Sequence, residues 1–318
     1  MQYQIIPPPE PSIGLWLQVL RLPNLTMMFV LQFLVYNYIL EAWAAAVRIP
    51  LYLNFTNFIL VSLSSALIGG GGYLINDYYD QQIDEINHPK QRFIGKGISP
   101  KDAIRGYIAL NVVAMVLVAI LIPHYPYLFL LHLGCIALLF LYARYLKALP
   151  LVGNLVIALL CSILTLEILL PDYFFNPKLL HDKDFYTPYY QIVARKFAVF
   201  VAVATFLREL AKDIEDIRGD SIGGRKTLAI MLGWIRAKYV LATLSLLFSL
   251  FLGWFSWQSW QQAAHYSAIY IGWGLCIPLF IVSLLIFRCK ESNDFTRISK
   301  ILKIYFGFGM GWLFFFDS

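Results

Sequence analysis

The sequence predicts an all-α integral membrane bundle: nine transmembrane helices around a central cavity that opens to the cytoplasmic side and laterally to lipid. Three observations carry this. Apolar residue types make up 59% of the 318 residues and charged types only 14%, against about 25% charge in a typical soluble domain, and the mean hydropathy is +0.66. Eight apolar runs approach the ~20 residues that cross a bilayer as a helix. Most of the 25 Lys and Arg residues fall in alternate connections between those runs, the asymmetry that sets orientation.

The elements follow in order. After "MQYQIIPPPEPS", which lacks the basic start of a cleavable signal peptide, "SIGLWLQVLRLP" (about 12–23) reads as an amphipathic interfacial segment. Spans are expected near 24–46, 55–76, 103–122, 126–145, 150–171, 239–257, 268–287 and 299–317. A ninth helix, about 192–216, begins apolar at Phe197–Leu207 and turns charged in "RELAKDIED". Its charged half belongs against a polar cavity, because ionisable groups in membrane helices face cavities or partners. Segment 172–191 is the longest outward loop and reads as an interfacial lid. No second domain is visible, so residues 1–318 read as one unit, with site-bearing loops about 77–102 and 212–236.

The Lys and Arg residues put one side of the bundle in the cytoplasm. Lys90, Arg92, Lys96, Lys101 and Arg105 lie in one connection, Arg144 and Lys147 in another, and Arg208 through Lys238 and Arg288 through Lys303 in two more. The N-terminus is then inside and the C-terminus outside. The four cysteines lie far apart, mostly in apolar runs, and read as small buried residues rather than a zinc site. His132 and Glu167 fall inside spans. Glu167 is expected near the outer end as a capped or interfacial group, and His132 as an interhelical hydrogen-bond donor. Neither is assigned chemistry.

Two acidic ladders stand at the cytoplasmic face. In "NDYYDQQID", Asn76, Asp80 and Asp84 are spaced by four and share one helical face, with Asp77 beside them. Like charges at that spacing repel on a bare helix, so a cation should offset them. Carboxylates with an Asn carbonyl suit Mg²⁺, which typically joins carboxylates to substrate phosphates. In "RELAKDIEDIRGDSIGGRKT", Arg208, Lys212, Asp216 and Asp220 form a second stripe, with Glu209 and Asp213 adjacent and Arg225 and Lys226 just beyond. Cations beside metal-binding acids suit a diphosphate. Arg144 and Lys147, at the turn "LYARYLKALPLVGN", are further candidates for binding the diphosphate or an acceptor. The glycine run Gly69–Gly72 reads as a close helix contact. A transporter is the competing class, but a conducting path would place ionisable groups at mid-membrane, whereas these ladders cluster at one face. A soluble DDxxD-type synthase does not accommodate nine spans.

At these residues the chain resembles the UbiA-type membrane prenyltransferases. Asn76, Asp77, Asp80 and Asp84 match the family's NDxxDxxxD motif, and Asp216 and Asp220 its DxxxD motif. "RELAKDIEDIRGD" with a downstream "KTLA" is most similar to the digeranylgeranylglyceryl phosphate synthase branch, and "KDI.DI.GD" also resembles homogentisate prenyltransferases. "HPKQRFIGKGIS" departs from the proline-rich run many relatives carry. The resemblance implies Mg²⁺-dependent transfer of a prenyl group, geranylgeranyl in that branch, from an allylic diphosphate to a membrane acceptor. That acceptor is geranylgeranylglyceryl phosphate or, alternatively, a hydroxybenzoate- or homogentisate-type ring. It implies metal ligands Asn76, Asp80, Asp84, Asp216 and Asp220. It implies diphosphate or acceptor binding by Asn76, Arg92, Arg144, Lys147, Arg208, Arg225 and Lys226, and catalytic roles for Asp77, Asp84 and Lys212, with Asp77 or Asp84 taking the acceptor's proton. Lipid is the expected surrounding, and neither a nucleic acid nor an obligate protein partner is expected.

Overall fold

A computed structural model describes residues 12–90, 92–175 and 186–315. Among them every regular element is helical, apart from one isolated bridge between Ile94 and Ile98. The helices are α1 (Ile13–Val19), α2 (Leu22–Ala46), α3 (Phe55–Asn87), α4 (Pro100–Ala119), α5 (Pro126–Arg144), α6 (Val152–Leu166), α7 (Leu170–Phe175), α8 (Tyr186–Glu215), α9 (Ile217–Ile222), α10 (Leu228–Leu232), α11 (Trp234–Gln261), α12 (His265–Arg288) and α13 (Phe295–Met310). Seven of the described helices are long and apolar enough to cross a membrane. Two segments read as spans fall short of that: α6 is a shorter apolar helix, and α13 has 16 residues.

Local chemistry sets the helix starts. Asn54 Oδ1 accepts from the Asn57 amide at 2.9 Å and starts α3. Ser99 Oγ accepts from the Asp102 amide at 3.1 Å, with Pro100 in the first turn of α4. Both are favoured N-terminal arrangements, since the first amides of a helix lack internal partners. α3 has 33 residues, about 50 Å at 1.5 Å per residue, and the hydrocarbon core is only ~30 Å thick. Its last turns therefore project beyond the lipid. Residues 77–87, read from sequence as the start of a loop, are helical. The loop read over 212–236 likewise contains the end of α8 and the short helices α9 and α10. Hydropathy marks where lipid contact ends, not where the helix ends.

α3 packs on α2, α4 and α5, while α8 packs on α6, α11 and α13. The glycine run on α3 makes the first set close: Gly69 faces Met28, Gly71 faces Asn111 and Gly72 faces Leu139. α8 runs through the core, with Phe197, Val201, Leu210, Ala211 and Ile214 buried. Where α13 crosses it, a Cβ on Gly309 would fall on the Phe200 ring. Gly309→Ala should therefore destabilise the protein by about 1–3 kcal/mol, the usual cost of overpacking, read as a lowered thermal midpoint in detergent. An unchanged midpoint would show that α8 and α13 are not packed this closely.

Of the lid segment 172–191, residues 176–185 lie outside the described residues, while 172–175 end α7 and 186–191 begin α8, helix where a loop was expected. Its start is pinned: the Asp172 carboxylate accepts from the amides of Tyr52 at 2.6 Å and Leu53 at 3.0 Å.

Candidate active site

The two ladders face each other across a cavity of about 610 Å³ at the projecting ends of α3 and α8. Asp77, Asp80, Asp84, Asp213, Asp216 and Asp220 all line it. Crowding this many carboxylates together requires compensating positive charge, and cations from other elements supply it. Lys147 Nζ donates to Asp80 Oδ1 at 2.6 Å and to Asn76 Oδ1 at 3.1 Å. Arg225 donates to Asp220 at 2.8 Å and also to Asp80, so one guanidinium joins the two ladders. Arg21, the residue before α2, donates to Asp77 at 2.7 Å. Its φ of 53° is a left-handed conformation, one a non-glycine residue holds only where its surroundings fix it; here the guanidinium also lies 4.7 Å from the centre of the Tyr73 ring.

The electrostatics follow from burial and pairing. Burial pushes the Asp220 carboxyl up to about 6, against the pull of Arg225. Burial lowers the Lys147 ammonium, with Asp80 opposing. Burial alone would raise Asp216, but the His88 hydrogen bond and the charge of Lys212 outweigh it and hold Asp216 below the ordinary carboxylate range. His88 is raised in turn, chiefly by the hydrogen bond to Asp216 at 2.8 Å. This contact is complete below the usual histidine value of ~6.5 and is lost as pH rises through the raised one; at the acid end it is lost as Asp216 protonates. In metal-free protein the His88 imidazole should titrate above ~6.5 by NMR, and Mg²⁺ with a diphosphate, by competing for Asp216, should lower it. A titration indifferent to both would mean Asp216 is no ligand.

Asn87 ties the ladders together mechanically. Its Nδ2 donates to the Asp216 carbonyl at 3.0 Å and its Oδ1 accepts from the Gly219 amide at 2.9 Å. Gly219 has no room for a side chain, because a Cβ would lie 2.6 Å from the Asn87 amide group. Asn154 Nδ2 holds Asp213 at 2.9 Å. His88, Glu215 and Asp216 offer ligand atoms within 4.8 Å of one another. Together with the ladders they give an oxygen-rich set that fits a hard divalent cation.

Of the residues singled out from sequence, Asn76, Asp77, Asp80, Asp84, Lys147, Arg208, Lys212, Asp216, Asp220 and Arg225 line the cavity. Three do not. Arg92 is bound with Lys96 to Glu85 on the outer face of α3. Arg144 is exposed and stacks over Tyr79 and Tyr145. Lys226 does not reach the cavity wall; its amide donates to the Ala148 carbonyl at 2.9 Å. Sequence reasoning missed Arg21, Asn24, His88, Asn154 and Lys303 as wall residues. Lys303, a cation carried into an apolar run beside Lys300, was the available signal. It donates to Asn24 Oδ1 at 2.5 Å, and Asn24 donates to the Tyr73 hydroxyl at 3.1 Å.

The cavity leads into a second, mainly apolar one of about 260 Å³. Arg21, Asn24, Asn76, Tyr142, Arg208, Glu209, Lys212 and Lys303 line both. The second runs between α2, α3, α5, α6 and α8, past Met27, Met28, Ile68, Leu139 and Leu160. A polar diphosphate-sized chamber thus opens into an apolar tunnel.

Comparison with known proteins gives the same account. The model of the UbiA prenyltransferase family matches residues 38–301. The chain is 33% identical over 257 residues to the digeranylgeranylglyceryl phosphate synthase of Sulfolobus acidocaldarius, covering 78% of this chain and 81% of that protein. It is 35% identical over 261 residues to the synthase of the same name from Thermococcus kodakarensis, covering 77% and 80%. Among solved structures, one of a digeranylgeranylglyceryl phosphate synthase superposes with a TM-score of 0.60 at 19% identity, over 95% of this chain and 96% of that one. A UbiA homologue from Archaeoglobus fulgidus bound to GPP and Mg²⁺ superposes with a TM-score of 0.59 at 15% identity, over 94% and 99%. The chain is an integral membrane prenyltransferase belonging to the UbiA family.

Proposed function

We propose that this enzyme transfers a geranylgeranyl group from its allylic diphosphate to geranylgeranylglyceryl phosphate. The observation that carries the reading is a single chamber where eight carboxylates, six aspartates with Glu209 and Glu215, and a wall of cations meet the mouth of an apolar tunnel. A diphosphate with a prenyl tail needs both halves. The curated relatives carry the name of this activity, and the Archaeoglobus homologue binds a shorter allylic diphosphate with Mg²⁺.

Asn76, Asp80, Asp84, Asp216 and Asp220 are the residues placed to hold Mg²⁺. When bound, the ion neutralises the charge that develops on the departing diphosphate. Lys147 and Arg225, already aimed at Asp80, supply fixed positive charge to the same oxygens as the C1–O bond breaks. Lys212 and Arg208 stand where chamber and tunnel meet, next to the position of C1. Arg21, Lys303 and Asn24 line the same junction and are assigned to the acceptor's phosphate. Asp77, held by Arg21, and Asp84 are the carboxylates positioned to take the proton of the acceptor hydroxyl. The bundle sits as nine membrane-embedded helices in one domain, with the chamber and N-terminus cytoplasmic and the C-terminus outside.

The test is a reconstituted reaction with geranylgeranyl diphosphate and Mg²⁺, offering geranylgeranylglyceryl phosphate, hydroxybenzoate and homogentisate separately. Pyrophosphate release and a doubly prenylated glyceryl phosphate by mass are expected with the first acceptor, and neither after chelation. Product from an aromatic acceptor alone would overturn the assignment.

A further inference from the structure

The far end of the tunnel is not apolar. Ser65 from α3, His132 from α5 and Glu167 at the end of α6 close it, and all three are buried, with exposures of 7%, 1% and 3%. Glu167 stands at the end of α6, as its sequence position implied, but its side chain is turned inward and hydrogen-bonded rather than interfacial, because hydropathy gives depth along a helix but not which way a side chain points. We infer that the Ser65–His132–Glu167 floor is the stop that fixes how many isoprene units the donor's tail contains, an inference that rests on the prenyl-diphosphate reading of the chamber.

The floor is a locked network. Ser65 Oγ donates to Glu167 Oε1 at 2.6 Å and lies 3.1 Å from His132 Nε2. His132 Nδ1 donates to the Leu128 carbonyl at 2.8 Å, which can only accept, so that nitrogen carries a proton. Gln32 donates to the Leu164 carbonyl at 3.1 Å and also to Glu167. A bulky apolar plug swings aside by changing rotamer. This floor cannot do so without leaving a carboxylate and an imidazole unsatisfied in an apolar surround, where such groups are most costly. The chemistry at the chamber does not use it.

The depth matches a tail of defined length. On α3 the tunnel follows one face through Ser65, Gly69, Gly72 and Asn76. Eleven residues separate Ser65 from Asn76, which is about 16 Å at the helical rise of 1.5 Å per residue. An extended chain advances ~1.2 Å per bond, as a peptide's ~3.6 Å over three bonds shows; at four bonds per isoprene unit, three to four units span about 14–19 Å. The glycines leave width for the tail's methyl branches, and the floor sets the length.

The test compares kcat/KM for the C10, C15, C20 and C25 allylic diphosphates with one acceptor. The native enzyme should reject C25 relative to C20 by at least tenfold. Glu167→Gln, which keeps shape and hydrogen bonding, should keep that profile. The double variant His132→Ala, Glu167→Ala should raise the C25-to-C20 ratio at least tenfold while leaving C10, which does not reach the floor, unchanged. Should that variant fail to fold, Leu164→Phe, which adds bulk one turn above the floor, should lower C20 against C10 by at least tenfold. Equal use of C20 and C25 by the native enzyme, or a length profile that neither the opened nor the filled tunnel moves, overturns the stop. A native enzyme that releases no pyrophosphate even from the C10 donor with Mg²⁺ would instead overturn the prenyl-diphosphate reading.

Discussion

Asp80→Asn and Asp216→Asn should each lower prenyl transfer by about a thousandfold or more, equivalent to ~4 kcal/mol of transition-state stabilisation. Each substitution keeps the side chain's size while removing its charge and turning one acceptor oxygen into an NH₂ donor. Asp80 is where Lys147, Arg225 and Asn76 converge; without the carboxylate two half-buried cations face each other and the first ladder loses its central oxygen ligand. Asp216 is the second ladder's partner to His88. Removing one preorganised charge from an active site typically costs a hundred- to a thousandfold, and on the proposed reading each change also takes away a Mg²⁺ ligand. Stability separates the effects. Asp80→Asn should also lower the thermal midpoint of the metal-free protein, because it leaves Lys147 without its carboxylate while Arg225 keeps only Asp220. The Asp84 carboxylate, unlike its backbone carbonyl, which accepts from the His88 amide at 2.9 Å, makes no ion pair or hydrogen bond among the described residues, so Asp84→Asn should lose activity with little change in midpoint. Full activity in both Asp80→Asn and Asp216→Asn would remove the ladders from the chemistry.

Much of this site was legible in the sequence because helical periodicity is rigid. Four-residue spacing put Asn76, Asp80 and Asp84 on one face, and the structure lines the chamber with all three. The charge-bearing half of α8 was legible for the same reason. What was not legible depends on turns and directions. Arg144 and Lys147 are three residues apart, yet the short 3₁₀ turn at Leu146–Ala148 sends Lys147 into the chamber and leaves Arg144 outside on two tyrosines. Arg21 belongs to no sequence motif, and its contact with Asp77 depends on a left-handed residue before α2 that no local pattern announces. Asp213 stood in view beside the second ladder, but its anchor, Asn154, comes from α6 and could only be found in three dimensions.

Lys303→Gln should raise the KM for geranylgeranylglyceryl phosphate by about ten- to a hundredfold, the ~1.5–3 kcal/mol attributed to a hydrogen bond with a charged group, while leaving the donor KM within about twofold. Lys303 carries charge that no carboxylate answers among the described residues. Lys147 and Arg225 are committed to Asp80 and Asp220. Lys303 reaches only a neutral amide, Asn24, and feels the repulsion of Arg208, Arg21 and Lys212 around it. Like charges gathered at a half-buried wall are unfavourable until an anion joins them, and a phosphate monoester supplies the doubly charged group that an aromatic acceptor lacks. Removing the phosphate from the acceptor gives the decisive comparison. Native enzyme should lose most of its acceptor affinity for geranylgeranylglycerol, and Lys303→Gln should lose little more, because the two changes delete the same contact and their effects do not add. Additive losses, or a donor KM that rises in step with the acceptor KM, would assign the wall to the diphosphate and leave the acceptor's headgroup to be recognised elsewhere.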